Sequence, residues 1–404
     1  MTNASAAQGP LHGIRILDMA TVIAAPFAAS LCADLGAEVI KLELPGGKDP
    51  LRALAPTTRE HHLFWKVSNR GKKGISLDVR KPAGRDLLLR MIPTIDVLVE
   101  NFRTGTLDKW GLDAATLWRA NPRLIILRVT GFGQTGPYAQ RPGFARIFEA
   151  MSGFANLTGE DGRSPQHMNY PLGDVVAGLF GAFAIASAVA ERHLNPAAPG
   201  REIDLSATEA LLRLLEALPV ERERLGHARS RSGSRATYTA PSNMYRTRDG
   251  SWITLVGSTD TIFRRICDAM GRPELAADPR FATTPDRVRN VEAIDAIVSA
   301  WCASQDMDVL ATALGRGEVP FSKVYTVDDV MADEHFVARQ AIIRLPDPDL
   351  GSLPAPAIVP RISGFEPRPP RTGPAPGEHN ADVYHALLGL TDADLQRLAG
   401  DAVI

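Results

Sequence analysis

Short apolar runs alternate with longer segments of small or amphipathic residues along the first half of the chain. The apolar run 14–18 is followed by a small-residue segment, 22–35, and then by a second apolar run, 38–43. A strand, a helix and a strand in this order predict a βαβ unit, and therefore a parallel sheet with a right-handed crossover. Further strands are expected at 75–77, 96–100, 124–129 and 200–205, and helices at 83–91 and 207–218. The pattern predicts an α/β fold.

The second half of the chain follows a different pattern. Charged residues cluster between Glu221 and Arg235, and the turn Arg248-Asp249-Gly250 then separates two short apolar runs, as in a hairpin. Helices are expected at 262–270, 291–304 and 307–314, a Pro-rich extended segment at 345–374, and closing helices at 382–388 and 392–398. A chain of 404 residues is too long for one compact core. We therefore expect two domains, with the first boundary in the charged cluster.

The stretch Asn169 to Gly178 carries the clearest candidate for chemistry. Asp174 follows a proline and a glycine and stands immediately before a long apolar run, 175–189, which predicts a buried helix. An aspartate at a helix start commonly caps the free backbone N–H groups. The same donors could instead keep a nucleophilic carboxylate ionised beside a cleft. The position alone leaves both interpretations open.

Composition narrows the classes of function. The 45 basic and 46 acidic residues give a formal net charge of -1, which offers no electrostatic case for nucleic acid or an anionic membrane surface. The first predicted strand-to-helix turn, 19–26, lacks a glycine-rich dinucleotide fingerprint, which argues against a nicotinamide or flavin cofactor. Cys32, Cys267 and Cys302 have no metal-binding or disulfide spacing and fit a reducing cytoplasm. The apolar run after Asp174 is expected to be a core helix, with no membrane partner.

Five motifs occur in order along the chain: Ile16-Leu17-Asp18 with Ala24-Ala25-Pro26, the stretch Ala33 to Glu43, Val99-Glu100-Asn101-Phe102-Arg103, the stretch Thr130 to Tyr138, and Gly173-Asp174. Together they resemble the family III CoA-transferases, the group that includes formyl-CoA:oxalate and carnitine CoA-transferases. The resemblance extends from Leu11 to the last helix. It favours Asp174 as a nucleophile over a helix cap.

This resemblance implies an architecture. A large Rossmann-like, parallel-sheet CoA-binding domain would be built from 1–220 and a C-terminal return, 336–404, with a smaller α+β domain, 221–335, inserted between them. Two such ring-shaped chains would interlock as a homodimer. No tightly bound cofactor and no metal are implied, because coenzyme A enters as the thioester substrate.

The resemblance also implies a mechanism. The Asp174 carboxylate would attack an acyl-CoA thioester to form an acyl–aspartyl anhydride, and the released CoA thiolate would convert the anhydride into an aspartyl-CoA thioester. An acceptor carboxylate would then collect the CoA. Contacts with CoA are implied at Ile23, Ala24, Lys72, Lys73, Asn101, Phe102 and Lys109, and we add the neighbouring Arg103. For the basic residues, ordinary surface roles remain an open alternative.

One departure bears on the type of reaction. Acyl-CoA racemases share these motifs but carry a His-Asp acid–base pair where this chain has Phe144-Ala145. CoA transfer is therefore favoured over racemisation. Intramolecular CoA transfer within one dicarboxylate and a non-catalytic CoA-binding scaffold remain alternatives.

Residues near this departure suggest the substrate. Arg146 could clamp a substrate carboxylate bidentately, and His167 and Tyr170 precede Asp174 closely enough to line an acyl pocket with Phe144. Arg146 could equally be a helix-surface residue, and His167 a structural one. A second substrate carboxylate at Arg146 or His167 would make the substrate a small dicarboxylic acid, of the succinate, mesaconate, citramalate or itaconate type.

Overall fold

A computed structural model describes residues 9–404. The strands are β1 Arg15–Asp18, β2 Glu38–Glu43, β3 Lys73–Ser76, β4 Val97–Glu100, β5 Ile125–Thr130, β6 Glu202–Ser206, β7 Ser242–Arg246, β8 Trp252–Val256, β9 Phe321–Lys323, β10 Ile342–Asp347 and β11 Gly351–Pro356. The helices up to the middle of the chain are α1 Ala24–Asp34, α2 Leu63–Ser68, α3 Pro82–Met91, α4 Thr106–Lys109, α5 Ala114–Ala120, α6 Ala145–Met151, α7 Phe154–Leu157, α8 Leu172–Leu194, α9 Ala207–Arg213 and α10 Ala217–Leu225. The remaining helices are α11 Asp260–Ala269, α12 Thr284–Arg289, α13 Val291–Ala303, α14 Met307–Arg316, α15 Val327–Ala332, α16 Glu334–Ala338, α17 Asn380–Leu388 and α18 Asp392–Gly400.

The chain divides into two compact units. The first contains the chain up to Phe154 together with Met168–Ala217 and Arg339–Ile404, and the second contains Ala155–His167 and Leu218–Ala338. The sequence-based division, 1–220, 221–335 and 336–404, placed 155–167 in the large domain. In the structure this segment belongs to the second unit, where Arg231 contacts it. The Arg231 side chain donates to the backbone carbonyls of Asn156 and Arg163, each over 3.0 Å.

The first unit is built on a six-stranded sheet in the order β3-β2-β1-β4-β5-β6, and every neighbouring pair is parallel. This confirms the predicted α/β fold with a parallel sheet. In such a sheet the loops that follow the strands gather at one edge, where ligands bind. The loop after β1, the loop after β4 and the long loop between β5 and α6 meet at this edge.

The C-terminal return packs against the N-terminal part of the same unit. The hydroxyl of Tyr384 on α17 donates to the Ser76 carbonyl over 2.8 Å, and the Trp65 indole donates to the Pro374 carbonyl over 2.8 Å. The Pro-rich segment, expected to be only an extended connection, begins instead with the antiparallel hairpin β10–β11. Because β10 and β11 form a sheet of two strands, each is an edge strand, where a proline is tolerated if its position does not donate to the pair.

Close packing of α1 against α8 positions the start of α8. Both helices are rich in Ala and Gly, and a Cβ on Gly178 would lie 2.6 Å from the Ala24 carbonyl oxygen. Gly178 therefore has to lack a side chain for the two backbones to approach this closely. Asp174 lies one helical turn before Gly178 on the same face. The contact brings Asp174 to the beginning of α1.

Helix α8 is 23 residues long with a mean hydropathy of 1.9, long and apolar enough to cross a membrane by these criteria alone. Half of that apolar window is buried within the protein. Its buried face includes Ala177, Ile185 and Val189, which belong to the core beneath the parallel sheet. The packing is that of a core helix, as the sequence predicted.

The second unit has its own core around the antiparallel sheet β7-β8-β9. The predicted hairpin at 243–256 is present as β7 and β8. Tyr245 donates from its hydroxyl to the Asp295 carboxylate over 2.7 Å, which satisfies a buried acid on α13. The helices α11, α13 and α14 cover this sheet through their apolar faces.

Candidate functional site

Asp174 is the third residue of α8 and is only 9% exposed. The residue at the N-cap position is Pro171, whose side chain makes no capping hydrogen bond. Within residues 9–404 the Asp174 carboxylate accepts no hydrogen bond. The capping interpretation of Asp174 is therefore wrong, because the helix begins earlier than the sequence pattern indicated and places the carboxylate inside the first turn.

Burial and, as the smaller cause, the negative charge of Glu149 together raise the pKa of Asp174 to about 7. Glu149 lies on α6 and is 1% exposed. Its Oε1 accepts from the backbone N–H of Gly173 over 3.3 Å. Gly173 has no room for a side chain, since a Cβ there would lie 2.9 Å from the Ala145 carbonyl oxygen. Glu149 on α6 thus contacts the first turn of α8 one residue before Asp174.

Asp174 opens into a cavity of about 240 Å³ at the carboxyl edge of the sheet. The loops after β1, β4 and β5 supply most of its wall, and the end of β5 and residues of α1, α6, α8 and α9 supply the rest. The lining contains six of the residues predicted to bind CoA or substrate, together with Asp174 itself: Ile23, Ala24, Asn101, Phe102, Arg103 and Phe144. We name this space the Asp174 cavity.

Two guanidinium groups also line the Asp174 cavity, those of Arg103 and Arg141. Arg141 lies over the Tyr138 ring, 4.4 Å from its centroid. Within residues 9–404 neither guanidinium pairs with a carboxylate. Arg103 was predicted from the sequence and Arg141 was not. The cavity therefore combines a buried carboxyl with cations that can receive an anionic ligand.

The loop after β1 is held rigidly at the cavity wall. Asn101 accepts from the Thr21 backbone N–H and donates to the Thr21 carbonyl, each over 2.8 Å. Asp49 accepts from the Val22 N–H over 3.0 Å. Val22 has a φ of 65°, a left-handed conformation that a β-branched residue adopts only under constraint. Asn101 thus uses its amide to shape the loop, a role that its predicted contact with CoA did not include.

The position of Lys72 corrects one sequence-based prediction. Its side chain is fully buried, and its Nζ donates to Asp18 and to the Pro26 carbonyl over 2.8 Å each, and to Asn69 over 3.0 Å. Lys41, also fully buried, lies 3.7 Å from Asp18. All three hydrogens of the Lys72 ammonium are used inside the protein. Lys72 is therefore a structural cation of the core and is withdrawn from the set of CoA ligands.

The other five predicted residues, besides Lys72, are not among those that line the Asp174 cavity. Lys73 pairs with Glu38, the first residue of β2, over 2.6 Å, at the opposite end of that strand from the cavity edge. Lys109 is exposed at the end of α4, Arg146 is exposed on α6, and Tyr170 is about half exposed just before α8. His167 belongs to the second unit. The roles of Arg146, His167 and Tyr170 stay predictions.

A second, smaller cavity of about 130 Å³ adjoins the first. Thr21 and Phe102 line both spaces. The second cavity also contains Lys48, Arg80 and Trp110, none of which the sequence reasoning selected. Phe102 packs edge-on against Trp110, with 5.0 Å between ring centroids. Lys48 lies in a glycine-rich turn after β2, a signal that could have been read as a phosphate-binding turn.

Comparison with known proteins identifies the class. The family described as CoA-transferase family III matches residues 11–380. The chain belongs to this family, as the resemblance predicted, and it is a family III CoA-transferase. Among the residues that the structure describes, no group of three or more His, Cys, Asp or Glu side chains is arranged to hold a metal ion.

Individual relatives are similar over almost the whole chain. The succinyl-CoA–D-citramalate CoA-transferase of Chloroflexus aurantiacus is 41% identical over 98% of both chains. The succinate–glutarate CoA-transferase of Agrobacterium fabrum is 33% identical over 96% of this chain and 98% of that one. A crystal structure of a CAIB/BAIF family protein from Brucella suis matches with a TM-score of 0.83 at 33% identity, covering 94% of this chain and all of that one.

Proposed function

We propose that this protein transfers CoA from an acyl-CoA thioester to a small dicarboxylic acid, with Asp174 as the covalent nucleophile. One observation carries the proposal: a nearly buried carboxylate without a hydrogen-bond partner in the described chain lines a cavity of about 240 Å³ beside two unpaired guanidinium groups. A buried acid that serves the fold is normally hydrogen-bonded. An unpartnered one facing a cavity is available for chemistry.

In this mechanism a carboxylate oxygen of Asp174 attacks the thioester carbonyl and displaces CoA thiolate, which leaves an acyl–aspartyl anhydride. The thiolate then attacks the aspartyl carbonyl and releases the donor acid, which leaves aspartyl-CoA thioester. An acceptor carboxylate then attacks this thioester, which releases CoA thiolate and forms a second anhydride. The thiolate attacks the acceptor's carbonyl in that anhydride, which gives the new CoA ester and regenerates Asp174. Each tetrahedral intermediate needs hydrogen-bond donors for its oxyanion. The first N–H groups of α1 suit this role, because Ile23 and Ala24 line the cavity and no side chain caps that helix.

The adjoining cavities suggest how CoA lies. With its thioester at Asp174, the pantetheine arm would pass Thr21 and Phe102 into the second cavity. Lys48 and Arg80 could there neutralise phosphate groups, and Trp110 offers an aromatic surface for the adenine. Phe102 is fixed for this passage because its backbone N–H donates to the buried Glu100 over 2.7 Å.

The preference for a dicarboxylate rests on the cations of the Asp174 cavity and on the relatives. The single carboxylate of a monocarboxylic acceptor takes part in the reaction. A dicarboxylate has a second carboxylate that can pair with a guanidinium. Arg103 and Arg141 line the cavity, so we place the second carboxylate at one of them. The relatives named for citramalate and glutarate transfer act on acids of this class by their names.

We further propose that the protein works as a homodimer in the cytoplasm. The helices α6, α8 and α9 pack on one another and share an apolar surface that the chain leaves exposed. Its large side chains are about half exposed or more: Ile147, Met151, Leu179, Phe183 and Leu212. A second copy covering this surface fits the interlocked dimer that the family resemblance implies. The three cysteines are free and buried, which fits a reducing compartment.

The test is a screen of acyl-CoA donors against small mono- and dicarboxylic acids, with product CoA esters identified by mass. We expect exchange with at least one dicarboxylate, complete loss of exchange in Asp174→Asn, and retention of the folded state in that variant. Exchange at an undiminished rate in Asp174→Asn would refute the mechanism. Isotope-labelled free acid distinguishes intermolecular from intramolecular transfer, and α-proton exchange in deuterated water would reveal a racemase. A scaffold would bind CoA and exchange nothing.

A further inference from the structure

Asp49 is a buried carboxylate that the mechanism above does not use. It lies in the loop after β2, and its side chain is 1% exposed. Its Oδ1 accepts from the backbone N–H groups of Val22 and Leu51, over 3.0 Å and 2.9 Å. The Nζ of the fully buried Lys41 lies 3.4 Å from its Oδ2. A charge at this depth is stable because such partners replace the water that it has lost.

We infer that Asp49 is a positioning residue: it holds Val22 in a left-handed conformation, which turns the free N–H groups at the start of α1 toward the Asp174 cavity. This role deepens the proposed function and rests on it, because those N–H groups serve catalysis only if the reaction takes place at Asp174. Asp49 acts through the loop after β1 and touches no reacting atom.

Val22 is the point where the loop after β1 is held against its preference. Its φ of 65° is one that β-branched residues rarely adopt, because the Cβ then crowds the following carbonyl oxygen. The hydrogen bond from the Val22 N–H to a buried, fixed carboxylate opposes a return to an ordinary φ. Rotation about this one bond would change the direction of the N–H groups that follow it.

The N–H groups that follow Val22 are free. Ile23 is the N-cap residue of α1 and Ala24 is its first residue. Within residues 9–404 the N–H groups of Ile23 and Ala24 donate to no acceptor, and both residues line the Asp174 cavity. Asp174, which is 9% exposed and accepts no hydrogen bond within the same residues, lines that cavity too. Free donors and a free carboxylate thus border one space, as a tetrahedral intermediate on Asp174 requires.

Other buried charges fix the loop just before Val22. Asp18 Oδ1 accepts from the Ala20 N–H over 3.0 Å, and Lys41 donates to the Ala20 carbonyl. Lys41 therefore contacts the loop directly at Ala20 and through Asp49 at Val22. Because Ala20 keeps its own partners when Asp49 is removed, the effect of the removal should be confined to Val22 and the residues after it.

A direct contact between Asp49 and CoA is the alternative role, since Asp49 also lines the second cavity. A carboxylate there would repel the phosphate groups of CoA, so such a contact gives little reason to retain it. The two roles predict different kinetics. A positioning residue for the oxyanion donors affects kcat, whereas a ligand contact affects the KM for the CoA donor.

The experiment is a double-mutant cycle on CoA exchange by the full-length protein: the wild type, Asp49→Ala, Val22→Gly and the double variant. Glycine adopts a left-handed φ without strain, so the loop should not need Asp49 once Val22 is replaced by glycine. We expect Asp49→Ala to lower kcat about 10- to 100-fold without raising the KM for the donor. In the Val22→Gly background the same change should lower kcat by no more than about three-fold.

The matched control is Asp113→Ala. Asp113 likewise accepts from a backbone N–H, that of Thr116 over 2.9 Å at the start of α5, and it is not among the residues that line the Asp174 cavity. Asp113→Ala should lower the free energy of unfolding and leave kcat unchanged. Equal losses of kcat for Asp49→Ala in the two backgrounds would overturn the inference, and so would a loss confined to the KM for the donor.

A crystal structure of Asp49→Ala gives a second readout that does not depend on activity. Val22 should have a negative φ in that variant, and a φ that stays near 65° overturns the inference. If Asp49→Ala does not fold, Asp49→Asn takes its place in the cycle and in the crystal. Its one side-chain oxygen cannot both accept from Val22 and face Lys41, so we expect kcat to fall about 3- to 10-fold, and an undiminished kcat overturns the inference.

Failure of the proposed function gives a different result. A wild type that exchanges no CoA with any acid would refute CoA transfer at Asp174. The crystal structure of the variant would still decide whether Asp49 controls the conformation of Val22.

Discussion

The side-chain amide of Asn101 bridges both backbone groups of Thr21, accepting from its N–H and donating to its carbonyl over 2.8 Å each. Asn101 directly follows β4 and Thr21 follows the neighbouring strand β1, so the bridge joins two loops of the Asp174 cavity. The loop that carries Thr21 also contains the constrained Val22. These side chains therefore fix the shape of the cavity wall without a ligand.

We expect Asn101→Ala to weaken both stability and catalysis. Loss of two hydrogen bonds should lower the free energy of unfolding by about 1–3 kcal/mol. Because the loop at Thr21 would be free to shift, kcat/KM should fall by about ten-fold or more. Denaturant unfolding and steady-state kinetics check this, with Asn195→Ala, at the exposed end of α8, as the control. Wild-type kinetics in Asn101→Ala would show that the bridge has no part in shaping the site.

Lys72→Met should lower the stability of the protein without weakening its binding of CoA. Removing this cation leaves the buried Asp18 with only Lys41 nearby, at 3.7 Å, and breaking a buried pair in this way costs about 3–5 kcal/mol. We expect an unchanged KM for the CoA donor in the protein that remains folded. Lys73→Met, which breaks the partly exposed pair with Glu38, should cost less than about 1 kcal/mol. A raised KM with an unchanged free energy of unfolding in Lys72→Met would restore Lys72 as a CoA ligand.

Arg141→Ala should reduce kcat/KM for dicarboxylate acceptors by about 10- to 100-fold, the loss expected for one charge-assisted contact. Monocarboxylate acceptors should change little, because they present no second carboxylate to Arg141. Arg146→Ala is the matched comparison, since Arg146 is five residues further on and does not line the cavity. Equal losses on both classes of acid would contradict a clamp at Arg141. A selective loss in Arg146→Ala instead would support the prediction made from the sequence.

Asp174→Asn should stabilise the protein at neutral and higher pH. The pKa of Asp174 is about 7 in the folded protein and is raised from 3.8, so the folded state binds the proton more tightly than the unfolded state does. Its contribution to the free energy of unfolding therefore falls as the pH rises from about 4 to about 7, by at most roughly 4 kcal/mol. The asparagine variant has no such dependence. Denaturant unfolding should show that the free energy of unfolding of the variant, relative to that of the wild type, is higher at pH 8 than at pH 5. A constant difference between the two proteins would contradict the raised pKa.

Much of the sheet could be predicted from the sequence, because its strands are short apolar runs that end at polar turns. The run Glu38–Glu43 is one example, and the structure reproduces its bounds as β2. Asp174 could be selected because it follows Gly173 and precedes a long apolar run. Whether it caps the helix could not be decided, since that depends on where the helix begins, three residues earlier than the apolar pattern indicated.

The sequence could not show which basic residues line the cavity and which have structural roles. Lys72 looks like an exposed turn lysine until the fold brings Asp18, 54 residues away in sequence, to its ammonium. Arg141 and Arg146 are indistinguishable in the sequence, and only the start of α6 at Ala145 separates the loop residue that lines the cavity from the helix residue that does not. Glu149 did leave a signal, as a single acid between Phe148 and Ala150 in an apolar segment.

The central claim is that the Asp174 carboxylate becomes covalently acylated during turnover. The most direct measurement incubates the enzyme with an acyl-CoA donor, traps the activated carboxyl with hydroxylamine, and maps the modified peptide by mass spectrometry. The account predicts a hydroxamate at Asp174 in the wild type, dependent on the donor, and none at that position in Asp174→Asn. Exchange of CoA by a wild-type enzyme whose Asp174 stays unmodified would contradict it.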